Sequence, residues 1–176
     1  MPQTITLYRI FLAAPSDVTE ELSVVGEILE DWNLQHGQEL GVRVEMVNWR
    51  THTFPATGKR PQALVNKQAF DACDVVVALF WSRFGTPTGR ANSGTEEEIR
   101  RGIRQGKKVL VYFSDRPIPQ REKRKDDVQI DQFKRRFGQK AIYWVYSDLQ
   151  RFEKAFRGHI ANTMHDLIKE RTTSAT

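Results

Sequence analysis

Cysteine, histidine and long apolar runs are all scarce in this sequence. The one cysteine, Cys73, excludes an internal disulfide, and because it precedes a strand-like apolar run we expect a buried thiol and not a nucleophile. The four histidines have no metal-ligand spacing, so neither a metal nor another cofactor is expected. No apolar run approaches the roughly 18 residues of a membrane span, and the amino terminus has no signal-peptide pattern. These absences predict a cytoplasmic protein that makes no membrane contact.

Positive charge is concentrated in one part of the chain. The net charge is +5, and residues 116–140 contain nine Lys or Arg against four Asp or Glu. No aromatic residue interrupts the basic run at residues 121–125, which favours a solvated loop over a contact with phosphate or nucleic acid. The charge suits an anionic ligand such as a nucleotide, and nucleic acid is the less favoured partner.

Apolar runs and helical periodicities alternate along the chain. The segments that read as strands are 7–14, 42–49, 73–81, 108–113 and 141–146. The segments that read as helices are 16–37, 61–70, 94–105, 128–137 and 148–170. This alternation predicts a flavodoxin-like, doubly wound α/β domain, in which helices cover both faces of a five-stranded parallel sheet. We expect one domain over residues 1–170 and a disordered tail at 171–176.

Two features of the first predicted helix fix its expected ends. Ser16 or Asp17 can cap its amino terminus, and Asp17 has the capping-box spacing to Glu20. Gly37 is expected to end it. Ligands of doubly wound domains bind at the carboxyl ends of the strands, near the switch point in strand order. The turns at 14–17, 49–60, 81–93 and 114–116 should therefore surround a cleft.

Three consecutive glutamates open the helix predicted at 94–105. Side chains four residues apart are neighbours on a helix, so Glu96 should meet Arg100 and Glu97 should meet Arg101, as ordinary surface pairs. Glu98 meets Gly102 instead, and it flanks a stripe of Ile99 and Ile103 that should face the sheet. Glu98 is therefore expected to point to the cleft, where Gly102 leaves open space beside it. Close packing at Gly102 would offset the roughly 1 kcal/mol that a glycine costs within a helix. The alternative is that Glu98 is a third first-turn acid, favoured by the helix dipole.

The same stretch carries a family resemblance. "CDVVVALFW" followed by "SGTEEEIRRGIRQGKKVLVYF" resembles the core of the nucleoside 2-deoxyribosyltransferases and nucleotide N-glycosidases, with a Gly-Thr-x-x-Glu-x-x-x-Gly pattern. "FLAAPSDV", "FWSRFGTPT" and "SGTEEEI" are similar to signatures of a bacterial domain of unknown function within the wider TIR-like superfamily. Two residues depart from these patterns: Leu22 stands where that domain commonly has Arg, and Ser93 where the deoxyribosyltransferases often have Asp.

The resemblance implies chemistry on a ribosyl group. It assigns Glu98 as the catalytic carboxylate beside C1′, where an oxocarbenium-like charge develops. It also implies a set of substrate-binding residues, for each of which a structural role such as a helix cap or packing is the alternative. These residues are Ser16, Asp17, Asp74, Trp81, Arg83, Phe84, Ser93, Gly94 and Thr95, with Trp49 and Arg50 closing another wall.

Two functions remain open at this point. The first is a nucleotide N-glycosidase, acting on NAD or a nucleoside monophosphate, that serves as an effector in bacterial defence. The second is a non-catalytic TIR-like module that senses a nucleotide or self-assembles, which the departures at Leu22 and Ser93 favour. The resemblance further implies self-association, and fusion to NTPase or repeat modules.

Overall fold

The computed structural model describes residues 4–47, 69–118 and 125–174. Its strands are β1 (Thr6–Ala13), β2 (Val42–Val47), β3 (Val75–Phe80), β4 (Lys108–Ser114) and β5 (Trp144–Tyr146). Its α-helices are α1 (Thr19–Trp32), α2 (Gln38–Leu40), α3 (Gly94–Arg104), α4 (Lys125–Gly138) and α5 (Leu149–Ser174). Residues 48–68 lie outside the described residues. They include Trp49, Arg50 and most of the helix predicted at 61–70. Residues 121–124 of the basic run at 121–125 also lie outside the described residues.

The five strands form one parallel sheet in the order β2-β1-β3-β4-β5. The chain moves from β1 outward to β2, and then returns to the other side of β1 with β3. The switch point in strand order therefore lies between β1 and β3. This topology confirms the predicted doubly wound α/β fold, and it brings the loops that follow β1 and β3 together at one edge of the sheet.

Two apolar clusters lie on opposite faces of the sheet. One joins α1 and α5 to alternate strand residues such as Ile10 and Val77, and the other joins α3 and α4 to residues such as Phe11 and Val76. All six residues of β3 are buried, because β3 is central and is covered on both faces. Cys73 is buried just before β3, and burial raises its pKa to about 12, so the expectation of an inert buried thiol is confirmed.

The prediction that Gly37 ends the first helix is wrong. After Trp32 the chain makes a π-helical segment, Asn33–Gly37, and then α2, before Gly41 reverses direction with φ of 61°. The segment is held by Asn33, whose side-chain amide pairs with both the N–H and the C=O of Val44 at 2.8 Å. Gly37 is needed for close approach, because a Cβ there would lie 2.8 Å from the Val42 carbonyl oxygen.

The last helix is longer than its pattern predicts. α5 continues to Ser174, so residues 171–174 are helical and do not form a disordered tail. Arg171 donates a hydrogen bond to the Thr6 hydroxyl at the start of β1, and Lys108 pairs with Glu170 at 2.7 Å. These contacts fix the end of α5 to the amino-terminal edge of the sheet. In the described residues, no helix combines the length and the apolar character that a bilayer span requires.

Candidate functional site

Asp17 links the two loops that flank the switch point. Its Oδ2 accepts hydrogen bonds from the Ser82 N–H at 2.8 Å, the Ser82 hydroxyl at 3.0 Å and the Arg83 N–H at 2.9 Å. The helix cap predicted for Ser16 or Asp17 is wrong, since Val18 occupies the N-cap position and no side chain caps α1. The Asp17 carboxylate instead accepts hydrogen bonds from backbone N–H groups at the carboxyl end of β3.

Two groups beside this link are not committed to it: the Ser16 hydroxyl and the second oxygen of Asp17. Ser16 is exposed, and its hydroxyl accepts a hydrogen bond of 3.3 Å from the Arg83 guanidinium. The second oxygen of Asp17, Oδ1, is buried and has no hydrogen-bond partner among the described residues. Arg83 is thus brought to the adjacent residues Ser16 and Asp17, from which 67 and 66 positions separate it in sequence. They form a polar cluster with an exposed cation at the switch point.

Ser93 caps the amino terminus of α3. Its hydroxyl accepts a hydrogen bond from the Glu96 N–H at 3.1 Å, so this oxygen is used by the cap. The loop that follows β3 folds back on the cap, since a Cβ on Gly85 would lie 3.3 Å from the Ser93 Cβ. Gly94 and Thr95 follow in the first turn of α3, and Thr95 is buried. The first turn of α3 therefore lies at the carboxyl-terminal edge of the sheet.

All three glutamates of α3 are buried, so they are not ordinary surface acids. Glu96 is fully buried and pairs with Arg100 at 2.6 Å, as the spacing predicts, and also with Arg136 at 3.5 Å. Glu97 does not meet Arg101, which pairs with Asp71 at 2.5 Å. Glu97 instead accepts a hydrogen bond of 2.5 Å from the Thr88 hydroxyl, which ties the loop after β3 to the helix.

Glu98 is 5% exposed, one turn before a close contact between α3 and the sheet. The close packing expected at Gly102 is confirmed: a Cβ there would lie 3.0 Å from the Val76 Cγ2 and 3.1 Å from the Val109 Cγ2. Ile99 is buried as expected, but Ile103 is 53% exposed, so the stripe that faces the sheet passes through Gly102. Glu98 lies on the same face of α3 as Gly102, near the end of the helix that adjoins the switch point.

Two other predicted residues, Asp74 and Phe84, lie away from the polar cluster at the switch point. Asp74 precedes β3 and accepts a hydrogen bond of 2.8 Å from the Arg9 N–H. Because β3 spans six residues, roughly 20 Å, Asp74 lies at the opposite edge of the sheet and does not join the cluster. Phe84 is fully buried and stacks on Phe80, so its ring packs in the core.

Trp81 is held at the carboxyl end of β3 by Arg116. Its indole N–H donates to the Arg116 carbonyl at 3.1 Å, and the Arg116 guanidinium carbon lies 4.5 Å from the centre of its ring. Arg116 is held in turn by Glu20 at 2.8 Å and by Glu21 at 2.5 Å. Trp81 is therefore half-buried and already stacked by a protein cation.

Glu21, which no sequence pattern singled out, is fully buried. One of its oxygens accepts hydrogen bonds from Arg116 and from the Tyr146 hydroxyl, the latter at 2.7 Å, and the other has no partner among the described residues. Burial, and then the bond to Glu21, raises the pKa of Tyr146 well above its usual value. No local signal marks Glu21, because its partners Arg116 and Tyr146 lie 95 and 125 residues later in the chain.

The polar groups at the switch point suit an anion or a sugar hydroxyl. No group of three His, Cys, Asp or Glu side chains within residues 4–47, 69–118 and 125–174 is placed to share a metal ion. A cavity of about 450 Å³ borders the amino terminus of α3 and is lined by residues that include Arg90, Asn92 and Arg100. The loop that follows β3 therefore carries cations at two places, Arg83 beside Ser16 and Arg90 in this cavity.

The fold and site define a doubly wound α/β domain with a polar cluster at its switch point and buried acids on the adjoining helix. The chain belongs to the family described as a domain of unknown function (DUF4062), whose model matches residues 9–161. Among curated proteins, no sequence matches the chain.

One solved structure with a similar arrangement is the homoserine dehydrogenase of S. aureus. The two chains are 13% identical, with a TM-score of 0.39, over 82% of this chain and 32% of the dehydrogenase. The chain thus spans about a third of the length of that enzyme, and a similarity of this size carries no statement about activity.

Proposed function

We propose that this domain hydrolyses the N-glycosidic bond of a nucleotide, either NAD or a nucleoside monophosphate, with Glu98 as the catalytic carboxylate. The observation that carries the proposal is a nearly buried carboxylate at the switch-point end of α3. A negative charge in such a site is weakly screened, so it stabilises a developing cation more strongly than it would in water. The proposal includes the relation to nucleoside deoxyribosyltransferases and TIR-like domains.

The chemistry requires only the nucleotide and water. The bond between C1′ and the base nitrogen breaks, its electron pair leaves with the base, and C1′ develops positive charge. Glu98 stabilises that charge, or forms a transient ester with C1′, and water then supplies the hydroxyl. With NAD the products are nicotinamide, ADP-ribose and a proton. Glu98 is regenerated in either case.

The Ser16–Asp17–Arg83 cluster supplies groups suited to the rest of such a substrate. The Arg83 guanidinium is exposed and matches a phosphate. The buried Oδ1 of Asp17 is an acceptor for a sugar hydroxyl, since its other oxygen is committed to Ser82 and Arg83. A protein with this activity would deplete a nucleotide pool, as expected of a defence effector.

Chromatography of reactions with NAD, NADP and nucleoside monophosphates tests the proposal. The wild-type protein should release nicotinamide or free base, and Glu98→Gln should lower the rate by at least about a hundredfold, the loss that removal of a main electrostatic group produces. Glu97→Gln is the matched control, because it removes a neighbouring buried charge whose oxygen bonds to Thr88. Release that persists in Glu98→Gln would overturn the catalytic assignment.

A non-catalytic nucleotide-sensing or self-assembling module is the second candidate. It is favoured by the internal engagement of the site, where Asp17, Glu96 and Glu97 all hold local structure. In that case calorimetry would detect nucleotide binding without turnover, or sedimentation would detect assembly, while chromatography detects no product at high protein concentration with a crowding agent.

A further inference from the structure

Among the described residues, β5 is the last strand of the sheet and no strand pairs with its outer side. This strand has three residues and pairs only with Tyr112–Ser114 of β4, although β4 begins at Lys108. Residues 108–111 of β4 therefore have no strand partner on this side within the described part of the chain. The Tyr146 carbonyl accepts a hydrogen bond from the Asp115 N–H, so Tyr146 faces β4. Because backbone groups alternate along a strand, the N–H and C=O of Val145 face away from the sheet.

A groove follows this open edge. Two cavities, of about 680 and 290 Å³, share Trp144 and His159 in their linings. Residues 109–112 of β4 line the smaller cavity, and residues 144–147 line the larger one. Ile142 is 94% exposed and Trp144 is 45% exposed beside the edge. The groove thus combines free backbone groups with two exposed apolar side chains at its centre.

The wall formed by α5 is basic. Arg151 and Lys154 both line the larger cavity, against one acid, Asp115. Arg151 keeps 77% of its side chain exposed while it lies 3.4 Å from Asp148. Lys154 is exposed, and none of the carboxylates in the described residues lies within salt-bridge distance of it. The positive charge on this wall is therefore available to a partner.

We propose that this groove binds an extended, acidic segment of a partner protein, which adds to the sheet as a strand beside β5. The backbone of the segment would pair with Val145. On the face of the sheet that α5 covers, its side chains would include acids that pair with Arg151 and Lys154 and apolar groups that contact Trp144 and Ile142. A second copy of this chain fits less well, because a symmetric contact at β5 would place the two basic walls opposite each other. Single-stranded nucleic acid would pair with the cations, but it has no peptide backbone and would leave the N–H and C=O of Val145 without strand hydrogen bonds.

Selection from a displayed library of linear ten-residue peptides tests this inference. The wild-type protein is the target, and a Lys154→Glu variant is used for counter-selection. We expect enrichment of peptides that combine Asp or Glu with β-branched or aromatic residues. A synthetic copy of an enriched peptide should bind Lys154→Glu at least tenfold more weakly, and should bind Lys169→Glu, a charge change at an exposed site farther along α5, as tightly as the wild type.

Hydrogen exchange then locates the bound peptide. The amide of Val145 should be protected by the peptide, and a peptide with proline in place of its central residue should lose that protection. Enrichment of basic peptides, or equal binding to Lys154→Glu, would overturn the inference. Protection of Val145 by oligothymidylate, or protection that rises with protein concentration alone, would also overturn it, in favour of nucleic acid or a second copy respectively.

Discussion

Replacement of Gly102 by alanine sets two effects of similar size against each other. Alanine in place of a mid-helix glycine stabilises a helix by about 1 kcal/mol. The added methyl would lie 3.0 Å from the Val76 Cγ2 and 3.1 Å from the Val109 Cγ2, both closer than ordinary van der Waals contact. Overpacking of this kind costs about 1 to 3 kcal/mol.

The surroundings of Gly102 decide which effect is larger. Val76 is fully buried in the central strand and its β-branched side chain is stiff, so it has no space to move. Val109 is half-buried and can move more easily. We therefore take about 2 kcal/mol for the overpacking and expect Gly102→Ala to be less stable than the wild type by about 1 kcal/mol. This corresponds to a fall in Tm of about 3 °C for a domain of this size.

Urea unfolding followed by circular dichroism measures the difference. Gly158→Ala is the matched control, because Gly158 lies within α5 and a Cβ there would meet nothing within 4 Å. It should gain the full helix term, about 1 kcal/mol. In a Gly102→Ala/Val76→Ala double variant the cost should be smaller than the sum of the single costs, because the methyl then has space. A Gly102→Ala protein as stable as the wild type would refute the reasoning.

Three further outcomes follow from the contacts described above. Asn33→Ala should lower the free energy of unfolding by about 2 to 3 kcal/mol, because it leaves the buried backbone groups of Val44 unpaired. Cys73 should resist iodoacetamide at pH 8 until urea unfolds the protein, since burial raises its pKa to about 12. Burial lowers the pKa of His159 below 6.5, so its contribution to stability should be complete above pH 6.5 and lost as the pH falls below it, and His159→Gln should reduce that dependence.

A specific result would contradict each of the predictions for Asn33, Cys73 and His159. For Asn33→Ala, a change within about 0.5 kcal/mol would mean that water replaces the amide, and Asn162→Ala at an exposed site gives the size of a surface change. Complete labelling of Cys73 in the native protein would show that its segment opens readily. An unchanged slope of stability against pH in His159→Gln would contradict the assignment of that slope to His159.

The architecture was predictable because it depends on patterns spread over many residues. The apolar run at 75–80 reads as a central strand whatever its neighbours, and the alternation of strands with helices requires a parallel sheet. The helix at 94–104 was placed correctly at its start, because the Ser93 cap is a local signal.

The errors fall where one side chain finds a partner far away in the sequence. Asp17 has the spacing of a helix cap, yet it bonds to Ser82 and Arg83, about 65 residues later. Glu97 has an arginine at the favoured spacing, but that arginine pairs with Asp71. Local spacing states which neighbours are available, whereas the fold decides which partner is nearest, so the polar contacts of the site could not be read from the sequence.

Asn33 has a consequence for how this protein can assemble. Its amide occupies the outward N–H and C=O of Val44 on β2, at the edge of the sheet opposite β5. Growth of a β-ladder from molecule to molecule requires a free edge on both sides of each sheet, so that each unit both receives and offers a strand. The Asn33 side chain blocks the β2 edge. A molecule that receives a strand at β5 therefore has no second free edge to offer, and the ladder ends there. By blocking this strand edge, the Asn33 amide should protect the domain from fibre formation. Asn33→Ala should therefore form aggregates that bind thioflavin T sooner than the wild type.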